Sequence, residues 1–174
     1  MGLFDSFYSF DPQAPLSCAA GHSRLRDEFQ TKDFAEPGMD RYCLYEGRLF
    51  LEHRGNEPFA DEVHPEGDVL LHTVTQRAEP VPFTGTVNVY TSCEECLPVL
   101  YEGAHFWGDK VGERRPWIEY RLTFRDGKLE RVEAEKVETR DDVRKDLREA
   151  LGERVIPDDD RLARRHFALL AKKG

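Results

Sequence analysis

Apolar and polar side chains alternate along 117–125, where Ile118, Tyr120, Leu122 and Phe124 are interleaved with Glu119, Arg121, Thr123 and Arg125. A period of two puts one set on a buried face and the other in water, as in a half-buried strand. Asp126-Gly127 follows. Both residues suit the positive φ of a type I′ turn, so the chain is predicted to fold back into a second strand through Leu129. Upstream, Val87 and Val89 sit between polar neighbours and predict another strand over 86–90. A second hairpin is predicted over 41–53, where Tyr42-Cys43-Leu44-Tyr45 and Leu49-Phe50-Leu51 flank Glu46-Gly47. The acid-Gly-base-Leu pattern thus occurs twice, about 80 residues apart, and we read it as two similar turns rather than a duplicated unit.

Elsewhere the pattern is weaker. The first 22 residues mix aromatics with Pro12, Pro15 and Gly21 and predict an irregular or short-strand segment, and 28–33 predicts a short strand. Residues 55–82 are rich in Pro, Gly and acids around one apolar island at 69–74, which reads as loop, strand, loop. The Gly-containing stretch 97–116 reads as a long surface excursion. Its Phe106 and Trp107 are either a plug returning to the core or an exposed contact for a partner. At Thr139 the period changes. Thr139 with Asp142 forms a capping-box pattern, and Val143, Leu147, Ala150 and Leu151 follow on one helical face up to Gly152. Asp158 to Asp160 open a second predicted helix carrying Leu162, His166, Leu169 and Leu170. The expected class is α+β: an antiparallel sheet built from hairpins over 1–137, and two C-terminal helices over 138–174 packed on it as one domain.

Composition narrows the function. At 39% hydrophobic and 11% aromatic, the chain is too apolar to stay disordered. A net charge of −9 argues against binding a phosphate backbone and points to a protein partner, basic if charge guides the contact. No apolar run approaches the roughly 20 residues of a spanning helix, and no signal-peptide pattern opens the chain, so no membrane contact and a cytoplasmic location are expected. No phosphate-binding loop, nucleophile elbow or dinucleotide fingerprint occurs.

The four cysteines carry the remaining chemistry. Cys93-Glu94-Glu95-Cys96 has the i, i+3 spacing that lets two thiolates reach one zinc ion from a tight knuckle. The best source of two further ligands is Cys18-Ala19-Ala20-Gly21-His22, whose small residues and Gly permit a turn. Against this stands a plainer reading, in which Cys18 and Cys43 are small buried residues, Cys93 and Cys96 are free thiols at a strand end, and His22 is solvated. A third reading makes the protein a zinc-dependent, deaminase-like hydrolase. His64-Pro65-Glu66 followed by Cys93-x-x-Cys96 mimics that spacing, although Ser92 stands where Pro is expected and a strand, not a helix, follows Glu66. Sequence adjacency gives no support to Cys43 as a nucleophile.

Phe29-Gln30-Thr31-Lys32-Asp33, taken with PFTGTVNVYTS (82–92) and WIEYRLTFRDGKLERVE (117–133), resembles a set of small uncharacterised bacterial and phage proteins. These open with M-G-[LM]-F-D, carry E-F-Q-[ST]-K, and later read F-x-G-x-[VI]-x-[FV]-Y-T-S before a W-x-E-Y strand and a D-G-[KR]-L turn. The resemblance covers residues 1 to about 133. Some such proteins look like zinc ribbons with C-x-x-C knuckles near both ends, a pattern from which Cys18-x-x-x-His22 departs by one residue and by His for Cys. It implies a β-rich module and assigns no catalytic residue. The expected function is therefore a non-catalytic binding or accessory module with one structural zinc on Cys18, His22, Cys93 and Cys96. The rivals are an immunity-like inhibitor of a basic toxin or nuclease and the deaminase-like hydrolase.

Overall fold

The computed structural model describes residues 4–14, 16–34, 39–63, 69–102 and 111–156, with backbone alone over 54–63, 69–76 and at 111. The described strands are β1 (Asp5–Ser9), β2 (Glu28–Thr31), β3 (Arg41–Tyr45), β4 (Arg48–Val63), β5 (Val69–Pro80), β6 (Gly85–Ser92), β7 (Val99–Glu102), β8 (Val111–Arg114), β9 (Trp117–Arg125) and β10 (Lys128–Val137). One α-helix follows, α1 (Arg140–Leu151), closed by a 3-10 turn at Gly152–Arg154. Eight strands form one sheet in the order β10-β9-β6-β2-β1-β3-β4-β5, while β7 and β8 pair with each other.

This corrects the expected α+β class with two C-terminal helices. The described residues are mostly strand, and the single helix spans 12 residues. The predicted second helix, from Asp158 onward, lies outside the described residues. What the sequence does specify is the start of α1. Thr139 accepts from the Asp142 amide while the Asp142 carboxylate accepts from the Thr139 backbone, and the Gly152 N–H caps Arg148 O. The Thr139 hydroxyl and backbone hydrogen bonds hold the exposed Asp142 carboxyl below its ordinary range.

Residues 55–82 also depart from expectation. Instead of loop, strand and loop, β4 runs for 16 residues and β5 for 12. Their antiparallel ladder runs from Phe50↔Pro80 to Pro58↔Leu71 and resumes at Val63↔Val69, with register shifts after His53 and after Pro58. A two-stranded ladder is held by backbone groups, and Pro is tolerated where the ladder is interrupted, so a Pro- and acid-rich composition does not prevent pairing. The stretch 97–116 is likewise more than a surface excursion: its flanks form the β7–β8 ladder, Val99↔Arg114 to Glu102↔Val111, and Val99 is buried.

The chain divides into two compact units that interleave in sequence, residues 1–14, 25–89 and 121–133 in the first, and 15–24, 90–120 and 134–174 in the second. The first has an aromatic and aliphatic core in which Phe7, Phe29, Leu44, Leu49, Val87, Val89, Leu122 and Phe124 are all buried. Phe34 stacks on Tyr42 at 3.7 Å between ring centroids, and Phe83 meets both Phe34 and Phe124 edge to face. Both predicted hairpin turns are present, with φ of 48° at Glu46 and Asp126 and about 70° at Gly47 and Gly127. They meet each other. Leu49 donates to Gly127 O and Leu129 donates to Gly47 O, each at 2.8 Å, around the β4–β10 pair Arg48↔Lys128. The repeated turn motif is thus a reciprocal contact.

In the second unit Val99, Val143, Leu147 and Val155 form a small apolar cluster, with Tyr101 and Leu151 packed against it. The Ile118 and Tyr120 end of β9 keeps its predicted inward face, since both side chains are buried.

Candidate metal centre

Two short turns of the second unit present the four candidate ligands. The first is the tip of a small hairpin. Ser17 bridges Ser23, Arg24 N–H donates to Leu16 O at 2.8 Å, and Cys18 N–H donates to His22 O at 3.1 Å. Gly21 donates back to Cys18 O and has φ of 82°, a left-handed conformation that Gly adopts without the cost other residues incur. The chain between Cys18 and His22 therefore closes tightly enough to aim both side chains the same way. The second turn follows β6. Cys93 N–H is fixed to Pro116 O at 3.1 Å, and Glu94-Glu95 make the knuckle that returns Cys96 beside Cys93.

The ligand atoms of Cys18, His22, Cys93 and Cys96 all lie within 4.8 Å of one another. His22 Nδ1 is 3.3 Å from Cys18 Sγ and 3.5 Å from both Cys93 Sγ and Cys96 Sγ. Cys18 Sγ and Cys96 Sγ are 3.7 Å apart. One imidazole nitrogen carries at most one proton and cannot donate to three sulfurs, so hydrogen bonding alone does not account for this packing. A tetrahedral zinc site does. Zn–S of about 2.3 Å and Zn–N of about 2.0–2.1 Å require S–N edges of about 3.6 Å and S–S edges of about 3.8 Å. The residues present fit that ion.

The electrostatics agree with a cation-binding cluster. Burial pushes the Cys96 thiol up to about 12, reinforced by hydrogen bonds and charge repulsion from Cys93 and Cys18. Burial also raises the Cys18 thiol, but backbone hydrogen bonds from His22 and Ala20 and side-chain bonds from Cys93 and Cys96 bring it below its ordinary value. Crowded sulfurs thus retain a proton on Cys96 that a bound metal must displace. Cys18 and Cys93 are buried, and Cys96 and His22 are half-buried.

Three supports around the cluster carry no motif in the sequence. The Tyr120 hydroxyl donates to Ser17 O at 2.7 Å and accepts from Ser17 N–H at 3.1 Å, fixing the residue before Cys18. The buried Arg24 guanidinium, two residues after His22, pairs with Glu95 inside the knuckle. Arg115 donates to Glu94 O. Below them, the buried Glu138 carboxylate accepts from Trp117 N–H at 2.9 Å, Arg114 at 3.0 Å and Lys136 at 2.6 Å.

Cys43 does not join the cluster. It is buried in β3, where burial, and then the charge and hydrogen bond of Glu52, push its thiol up to about 12 against the opposing pull of Arg41. His64 and Glu66 of the deaminase-like pattern, and the candidate contact residues Phe106 and Trp107, lie outside the described residues. No described helix is long and apolar enough to cross a membrane. Comparisons of the chain with protein-family models, with curated proteins and with solved structures found no match.

Proposed function

We propose that this chain is a non-catalytic binding or accessory module whose second unit is organised by one structural zinc ion held by Cys18, His22, Cys93 and Cys96. The observation that carries the reading is the set of four ligand spacings, 3.3, 3.5, 3.5 and 3.7 Å, which match the edges of a zinc tetrahedron. Zinc would supply four coordination bonds tying a turn near residue 20 to a knuckle near residue 95. Three Cys and one His fill a tetrahedral shell and leave no position for water or substrate, the arrangement of structural rather than catalytic sites. The same count weighs against the deaminase-like reading, which needs an open position beside Cys93 and Cys96. The net charge of −9 supports a basic protein as the partner.

Elemental analysis of the purified protein and of Cys18→Ser and Cys93→Ser tests the reading. About one zinc per chain, lost in both variants together with stability, is the expected result. Zinc retained by Cys18→Ser but lost from Cys93→Ser would move the ligand set elsewhere, and absence of metal from the wild type would refute it.

A further inference from the structure

A cleft of about 350 Å³ opens beside the cluster. Its walls include the apolar side chains of Ala19, Ala20, Leu97 and Pro116, together with His22 and Cys96. Thr139 and Arg140 complete the lining with two acids, Glu95 and Glu138, and both acids are already engaged by cations, Glu95 by Arg24 and Glu138 by Arg114 and Lys136. His22 touches the sulfurs only through Nδ1, and its Nε2 meets no protein acceptor among the described residues.

We infer that this cleft is a binding site for a small acyl compound, a branched or aromatic apolar group joined to a carbonyl or carboxylate oxygen. The inference rests on the zinc reading above. A neutral imidazole that gives its Nδ1 lone pair to a metal carries its proton on Nε2. Ligating histidines normally donate that N–H to a carboxylate or a carbonyl; here no described residue supplies either, and His22 itself lines an apolar cleft. The volume lies at the lower end of the range that encloses small organic ligands. An acyl oxygen satisfies the donor while its apolar tail covers Ala19, Ala20, Leu97 and Pro116. An amine would set a second donor against the first.

The test is a titration of the zinc-loaded full chain, metal content measured first, with 4-methylpentanamide, 4-methylpentanoate and 4-methylpentylammonium, followed by amide chemical shifts. The acyl probes are expected to shift the amides of Ala19, Ala20, Leu97 and Thr139, and the ammonium probe to bind about tenfold more weakly, the worth of one hydrogen bond. Leu97→Trp, which fills the cleft, and independently Leu97→Glu should abolish the shifts while zinc content stays at one per chain. Zinc present with no shifts, or shifts that survive both variants, would overturn the acyl site and leave the metal reading standing. Absence of zinc would overturn the metal reading and, with it, the donor on which this site depends.

Discussion

The two units solve the same stability problem by different means. The first buries a continuous set of large side chains, among them Phe7, Phe29, Leu44, Leu49 and Phe124, and its loops are fixed by backbone turns that bond to each other. The second buries smaller sets, Val99, Val143, Leu147 and Val155 in one cluster and Leu16, Leu100, Ile118 and Tyr120 besides, and adds polar ties: the Cys3His cluster, Arg24 with Glu95, and Glu138 with three donors. Apolar burial is tolerant of small displacements, whereas a tetrahedral site or a buried carboxylate demands particular atoms at particular distances. If the cluster holds zinc as proposed, stability in the first unit is spread over many residues, while in the second a large share rests on four ligands.

That contrast can be broken most forcefully by removing the zinc proposed for the second unit. Structural zinc contributes an apparent 10–16 kcal/mol or so at neutral pH, comparable to the roughly 5–15 kcal/mol that holds a whole domain. Chelation should therefore abolish hydrogen-exchange protection at Cys93, Val99 and Tyr120 while leaving the amides of Phe7, Phe29 and Leu122 protected. Equal loss in both units would erase the distinction. Acid should act in the same direction. The Cys96 thiol sits up to about 12 without metal and must lose its proton to ligate, so affinity in a chelator competition should fall as pH falls. Tighter binding at lower pH would remove thiolate ligation from the account.

Phe124→Ala is the complementary blow. It should cost the first unit about 3–5 kcal/mol through transfer and cavity terms, measured by urea denaturation, with zinc content unchanged. A smaller loss is expected from Glu138→Ala, about 2 kcal/mol. It strands the N–H of the half-buried Trp117, while Arg114 and Lys136, themselves partly exposed, recover some solvation. Zinc stoichiometry should survive it. The finest probe is Tyr120→Phe, which deletes only the hydroxyl that grips Ser17. Stability should drop by about 1 kcal/mol and zinc affinity about tenfold, as when an outer support of a metal site is removed. An unchanged affinity would show that the Cys18 turn holds its own shape.

The sequence exposed these features unevenly. The inward face of β9 was readable because Ile118, Tyr120, Leu122 and Phe124 alternate strictly, and both I′ turns because Glu-Gly and Asp-Gly have few other uses between strands. Each half of the Cys3His grouping was readable from its spacing, while a plainer reading competed with their union: adjacency shows that two side chains can converge, and only the fold brings together turns 71 residues apart. The supports were hidden for a related reason. Tyr120 reads as one more apolar residue of β9, and its partner Ser17 lies 103 residues off. Arg24 has the appearance of a surface charge. The length of β4 was missed because composition reports side chains while the ladder is made of backbone, and the second predicted helix carried a periodic stripe that falls beyond the described residues.

The reciprocal contact between the two I′ turns has a consequence for the order in which the chain folds. Arg48 and Lys128 are roughly 80 residues apart, and a contact of that span must meet a large loop-closure entropy before its two hydrogen bonds form. The adjacent hairpins β3–β4 and β9–β10 need only two-residue closures. The two turns should therefore exist early as separate local structures and join late, so that substitutions at their junction speed unfolding and leave the folding rate nearly unchanged. Of the two turn glycines, Gly127 is the one that cannot carry a side chain where it stands, because a β-carbon there would stand 2.2 Å from Val81 O, whereas at Gly47 the nearest atom is 3.9 Å away.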